Sequence, residues 1–133
     1  MKCLDSSFLA DYTRGRASAI RYLEERGDED LGVPTIALYE LFAGRLAVES
    51  DVTLDDFDRA FDWTTEIGFT DAYALEAARV RQELMDSGQR IQHPDMLLAG
   101  VARSLNATVV ASDRDFERVE NLCVENHRKM FSK

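Results

Sequence analysis

The sequence predicts an α/β fold, with a central, mostly parallel sheet of about five strands flanked by helices on both faces. Short apolar runs of strand length recur at positions 2–4, 31–33, 67–69, 108–111 and 122–124. The stretches between them have helical period and composition, as the crossovers between parallel strands require. Isolated carboxylates follow several of these runs, at the strand ends where parallel sheets collect ligands. No repeat, low-complexity tract or linker divides the chain, so residues 1–133 read as one domain able to build a core without staples.

The first run, Met1-Lys2-Cys3-Leu4, ends at Asp5. A helical stretch then leads to the acidic run Glu24-Glu25-Arg26-Gly27-Asp28-Glu29-Asp30, a solvated helix end and loop. After the second run, Pro34 precedes Thr35, which can N-cap a helix to about residue 48. Asp51 or Thr53 can cap another through residue 63, whose Phe57, Phe61 and Trp63 follow helical spacing and belong to a core or dimer face. Asp71 opens a helix to residue 85 that sets Ala74, Ala77, Ala78, Arg81, Leu84 and Met85 near one side, and Ser87-Gly88 ends it. His93-Pro94-Asp95 starts a helix to residue 105, and Asn106 suits its end. His93 reads as a cap or surface residue, and His127 has no functional context.

Four acids stand alone in apolar or small-residue surroundings. Asp5 ends the first run, and Asp113 follows Val109-Val110-Ala111-Ser112. Glu40 is the only charge between Thr35 and Gly44, and Asp95 the only one between Ile91 and Ala102. An isolated ionised carboxylate on a buried face is costly unless something compensates it. Four of them converging on one sheet edge point to a shared compensator, a hard divalent cation such as Mg²⁺ or Mn²⁺ with oxygen ligands. Two ions about 4 Å apart would let one activate water and the other steady the leaving oxygen of a phosphodiester. Asp5, short and at a strand end, is the choice for the central carboxylate, sharing the metals with Asp95 and Asp113. Glu40, longer and on a helix, suits binding through water or orienting the nucleophilic water. Ser6 can fix the Asp5 rotamer or cap the following helix. Ser112 and Asp115 flank Asp113 as further candidates, and Arg45 can reach phosphate. Gly44 reads as a close helix contact.

The net charge is −9, and lysine occurs only at Lys2, Lys129 and Lys133. Such a surface argues against loose, charge-driven binding of nucleic acid but leaves room for a nuclease whose metals and arginines handle the phosphate. A phospho-accepting signalling domain needs a lysine after a later strand, and the lysines lie at the termini. Cys3 and Cys123 read as buried thiols of a reducing compartment, without the neighbours of a zinc site or a nucleophile. No apolar stretch approaches the roughly 20 residues of a membrane helix, and no signal-peptide pattern opens the chain. The expectation is a cytoplasmic protein.

Four blocks in order carry a family resemblance: Leu4-Asp5-Ser6-Ser7-Phe8-Leu9, then Thr35 to Gly44 around Glu40, then Gly88 to Ala102 around Asp95, then Asp113-Arg114-Asp115-Phe116 with Asn121 to Val124. Together they resemble the PIN-domain ribonucleases, and within them the VapC-type toxins of toxin–antitoxin pairs. The resemblance implies a PIN-like α/β/α sandwich, Mg²⁺- or Mn²⁺-dependent cleavage of RNA, homodimerisation, and neutralisation by a small antitoxin. It carries Asp5, Glu40, Asp95 and Asp113 over as catalytic and metal-binding residues. One departure is Ala111, where family members often have Thr. Two other roles stay open: a PIN-type nuclease of RNA maturation or decay without an antitoxin, and a non-catalytic RNA-binding domain.

Overall fold

The computed structural model describes residues 1–27 and 29–132; Asp28 of the acidic run and the terminal Lys133 lie outside them. Five strands, β1 (Lys2–Leu4), β2 (Leu31–Pro34), β3 (Thr65–Ile67), β4 (Thr108–Val110) and β5 (Cys123–Glu125), form one sheet in the order β3-β2-β1-β4-β5. Every neighbouring pair is parallel. Helices α1 (Ser6–Thr13) and α2 (Ala17–Arg26) connect β1 to β2, and α3 (Thr35–Leu46) and α4 (Leu54–Phe61) connect β2 to β3. Helices α5 (Asp71–Asp86) and α6 (His93–Ser104) return the chain to β4 on the other side of β1. A 3-10 turn (Arg114–Arg118) precedes β5, and α7 (His127–Met130) follows it.

From β1 the chain moves outward to β2 and β3, then crosses back to β4 on the other side of β1 and on to β5. The strand order therefore reverses between β1 and β4, and a crevice opens beyond their carboxyl ends. That is where the isolated acids sit.

The local chemistry explains most boundaries and corrects several. Thr53 caps α4 through a capping box with Asp56, and the helix stops at Phe61. Phe57 and Phe61 are buried and stacked at 5.1 Å, while Trp63 lies beyond the helix against Tyr12. Pro34, not Thr35, takes the N-cap position of α3, and its fixed φ of −65° suits that place. Strand β3 begins two residues before the apolar run that predicted it, because Thr65 and Glu66 are exposed and pair by backbone alone. The buried stripe of α5 is Ala77, Val80 and Leu84, leaving Arg81 and Met85 to solvent. Gly100 on α6 selects that face: a Cβ there would lie 2.6 Å from the Ala77 backbone. Cys3 is buried, and burial pushes its thiol up to about 12, but Cys123 is exposed on the edge strand.

Two buried polar networks tie distant segments. Asp11 accepts two bonds from Arg128 at 2.7 Å and faces His127 Nε2 at 2.8 Å, which fastens α7 to α1. The Tyr22 hydroxyl donates to Glu125 at 2.6 Å, and Lys2 and Arg26 also pair with that carboxylate. No helix among the described residues is long and apolar enough to cross a membrane.

Candidate metal centre

Asp5 is the residue immediately after β1 and also the N-cap of α1. Its Oδ2 accepts the Ser7 amide at 3.1 Å and the Ser7 hydroxyl at 2.7 Å, so the rotamer is fixed from both sides. The Ser7 oxygen in turn accepts the Ser112 amide at 3.1 Å, linking the chain leaving β1 to the chain leaving β4. Asp5 is only 3% exposed, and its Oδ1 has no hydrogen-bond partner among the described residues. A buried carboxylate oxygen left without a donor is the costly state that a bound cation relieves.

Glu40 approaches from the second turn of α3, and Asp95 from the first turn of α6, where Pro94 is accommodated because its missing N–H needs no partner. Carboxylate oxygens of Asp5, Glu40 and Asp95 lie within 4.8 Å of one another. A second group, Asp95, Asp113 and Asp115, meets the same limit. Asp95 belongs to both groups, so it, rather than Asp5, is the residue the two share. Asp113 is exposed and caps the 3-10 turn by accepting the Asp115 amide at 2.9 Å. Asp115 also pairs with Arg118 at 3.2 Å, so its surface pairing and its place beside the pocket coexist.

The electrostatics follow from this crowding. Burial, then repulsion from Asp5, Asp113, Glu40 and Asp115, pushes Asp95 up to about 8. Burial and the Asp5 charge push Glu40 up to about 7. Asp5 is also raised, chiefly by burial, against the bonds from Ser7 that favour its charge. No Lys or Arg forms an ion pair with Asp5, Glu40, Asp95 or Asp113 among the described residues. An all-oxygen donor set of this density, lacking a protein cation, fits a hard divalent metal.

The supporting residues are placed differently from the expectation. Ser6 makes a long contact to Glu40 Oε1 at 3.5 Å, and Ser7 is the hydroxyl that holds Asp5. Ser112 contributes through its backbone: the amide meets Ser7, and the carbonyl accepts Asn126 Nδ2 at 3.2 Å. Arg45 lies in the last turn of α3, paired with Glu49 at 3.1 Å on the surface beside the pocket. Gly44 makes no close helix contact: beyond its chain neighbours and its own helix backbone, a Cβ there would meet no atom within 4 Å. His93 is exposed at the start of α6, and His127, which had no visible context, is fully buried against Asp11. The signal for Ser7 was present as Asp-x-Ser at a strand end, since an N-cap acid bonds the amide two or three residues on.

The PIN domain family profile matches residues 2–122. No curated protein matches the sequence significantly. Among solved structures, VapBC2 from Rickettsia felis bound to a promoter DNA fragment is similar, with 24% identity and a TM-score of 0.83 over 94% of this chain and 97% of that one. FitAcB from Neisseria gonorrhoeae is similar at 20% identity and a TM-score of 0.80, covering 96% and 98% of the two chains. VapBC-5 from Mycobacterium tuberculosis, described as a member of the VapBC family of toxin–antitoxin systems, has 25% identity and a TM-score of 0.63 over 93% and 94%. These likenesses extend over nearly the whole chain and concern its fold.

Proposed function

The chain belongs to the PIN domain family, and on that premise we propose that it is a Mg²⁺- or Mn²⁺-dependent endoribonuclease acting as the toxin of a toxin–antitoxin pair. The observation that carries the reading is the buried Asp5 Oδ1, unpartnered among the described residues, in a pocket with Glu40 and Asp95 that no described Lys or Arg pairs with. Asp5, Glu40, Asp95 and Asp113 would hold the metal. When bound, it would supply the positive charge that lowers the pKa of a water and stabilises the leaving oxygen of a phosphodiester.

The chain's own residues set the geometry of that reaction. Ser7 and the Ser112 amide fix Asp5, so one carboxylate is held rigidly while its second oxygen stays free. Glu40, half-buried and on a longer side chain, orients the attacking water from the α3 side. Asp113, exposed at the rim, completes the donor set nearest to incoming substrate. The water oxygen would form a bond to phosphorus as the bond from phosphorus to the leaving oxygen breaks; the water gives up a proton, the leaving oxygen takes one from solvent, and the RNA strand is cut in two.

A small protein antitoxin is the partner that the likeness to VapBC-5, a member of a toxin–antitoxin family, supports, and a second copy of this chain is proposed beside it. A cytoplasmic site of action agrees with these roles. The test is cleavage of total RNA by purified protein in Mn²⁺ or Mg²⁺, with EDTA and Asp5→Asn as controls. Discrete products that vanish in both controls are expected. Intact RNA across metals and salts, from folded protein free of any inhibitor, would sink the reading.

A further inference from the structure

An open groove of about 440 Å³ runs between α1 and α3 and includes Ser6, Ser7 and Glu40 of the acid pocket. Away from the pocket it is lined by Arg14, at the C-cap of α1, and Arg45, in the last turn of α3. Arg14 has no ion pair among the described residues and is exposed. Arg45 has only the exposed i,i+4 pair with Glu49, which a phosphate could readily displace. In a chain of net charge −9, two arginines line the same groove as Glu40.

Gly44 supplies an independent observation. Glycine inside a helix is destabilising relative to alanine, and is usually explained by a close packing contact. Here, beyond its chain neighbours and its own helix backbone, no atom lies within 4 Å of where a Cβ would stand, and Gly44 lines the groove. Its missing side chain keeps that channel clear. The apolar part of the lining is Ala10, Leu41 and Val48, with no aromatic ring on which a base could stack.

We propose that this groove seats the single-stranded RNA adjoining the scissile phosphodiester, with Arg14 and Arg45 holding neighbouring phosphates and Gly44 leaving the strand room. This rests on the nuclease reading above. The volume suits a nucleotide or two of one strand rather than a duplex. With phosphate contacts and no stacking platform, binding here is strongly salt-dependent and nearly indifferent to base identity.

The test combines anisotropy binding of a fluorescein-labelled, mixed-sequence single-stranded RNA in Ca²⁺ with steady-state cleavage in Mn²⁺. Arg14→Ala and Arg45→Ala should each raise Kd and KM about fivefold with kcat nearly unchanged, and each should make the slope of log Kd against log salt shallower by about 0.7. Arg14→Lys should recover most of the binding. Glu49→Gln, which frees Arg45 and removes a negative charge, should tighten binding. Gly44→Leu should weaken it without lowering Tm, while Gly44→Ala should raise Tm.

Unchanged Kd and salt slope in both arginine variants, with cleavage intact, would overturn the groove while leaving the nuclease standing. So would variants that lose only their hold on a protein inhibitor. Arginine-dependent binding by a wild-type protein that cuts nothing would keep the groove and remove the catalysis. No RNA binding by the wild type would overturn both.

Discussion

Replacing Asp95 with Asn should abolish cleavage and, in EDTA at pH 7.5, make the protein more stable. Asp95 is 7% exposed, and burial with three nearby carboxylates and Asp115 holds it at about 8 instead of 3.8. Its folded value lies above its unfolded one, so the native state binds more protons, and stability falls as pH rises from about 4 to about 8. Taken alone, the shift corresponds to about 6 kcal/mol, of which about 5 kcal/mol is felt at pH 7.5. The repulsion within it is shared with Asp5 and Glu40, which relax when Asp95 ionises less, so about 2 kcal/mol is the gain to expect from the single substitution. For a chain of this size that raises Tm by about 6 °C. The gain should shrink towards pH 5 and vanish only below about pH 3, where Asp95 is protonated in both states. Saturating Mn²⁺ should reverse the order, since a ligand at about 100 times its Kd adds about 2.7 kcal/mol to the wild type and little to the variant. Thermal melts from below pH 3 to 8, with EDTA and with Mn²⁺, measure all of this. An Asp95→Asn protein that melts at or below the wild type in EDTA at pH 7.5 would refute the account of a repulsive, cation-requiring pocket.

Ser7→Ala removes the hydroxyl between Asp5 and the Ser112 amide; Mn²⁺ affinity by calorimetry should fall about tenfold, with a stability loss of about 1 kcal/mol. Asp11→Ala leaves buried His127 without its acceptor and frees Arg128, which should cost about 3 kcal/mol in urea unfolding. Burial pushes Asp11 up, but the bonds from Arg128 and His127 outweigh it and hold the carboxyl below its usual 3.8. That stabilisation is present above the unfolded value and is lost as pH falls through the lower folded one, so the variant should lose less stability than the wild type on acidification below 3.8. Gly100→Ala forces a methyl to 2.6 Å from the Ala77 backbone, and a loss of about 2 kcal/mol, read from the same unfolding curves, is expected.

The fold was legible because strand runs and helical stretches alternate, but the strand order was not, since nothing local tells β1 that its neighbours are β2 and β4. Edge strand β3 was misplaced for a related reason: Thr65 and Glu66 are exposed and carry no apolar signature. The candidate site shows the same divide more sharply. Asp5, Glu40 and Asp95 were conspicuous because nothing around them in sequence could neutralise them, and the structure brings them together with no paired Lys or Arg among the described residues. Asp11 is buried just as deeply, at 1% exposure, yet it was silent. Its partner His127 lies 116 residues away, and Asp11 itself sits in an ordinary helical stretch beside Tyr12 and near Arg14 and Arg16. A buried acid with protein partners is stabilised by distant residues and leaves no local anomaly. A buried acid without them is visible in the sequence and destabilising in the fold for one and the same cause. Isolation in sequence thus selects the carboxylates whose partner comes from outside the chain, and Asp5 Oδ1, buried and unpartnered, is the atom where that selection is sharpest.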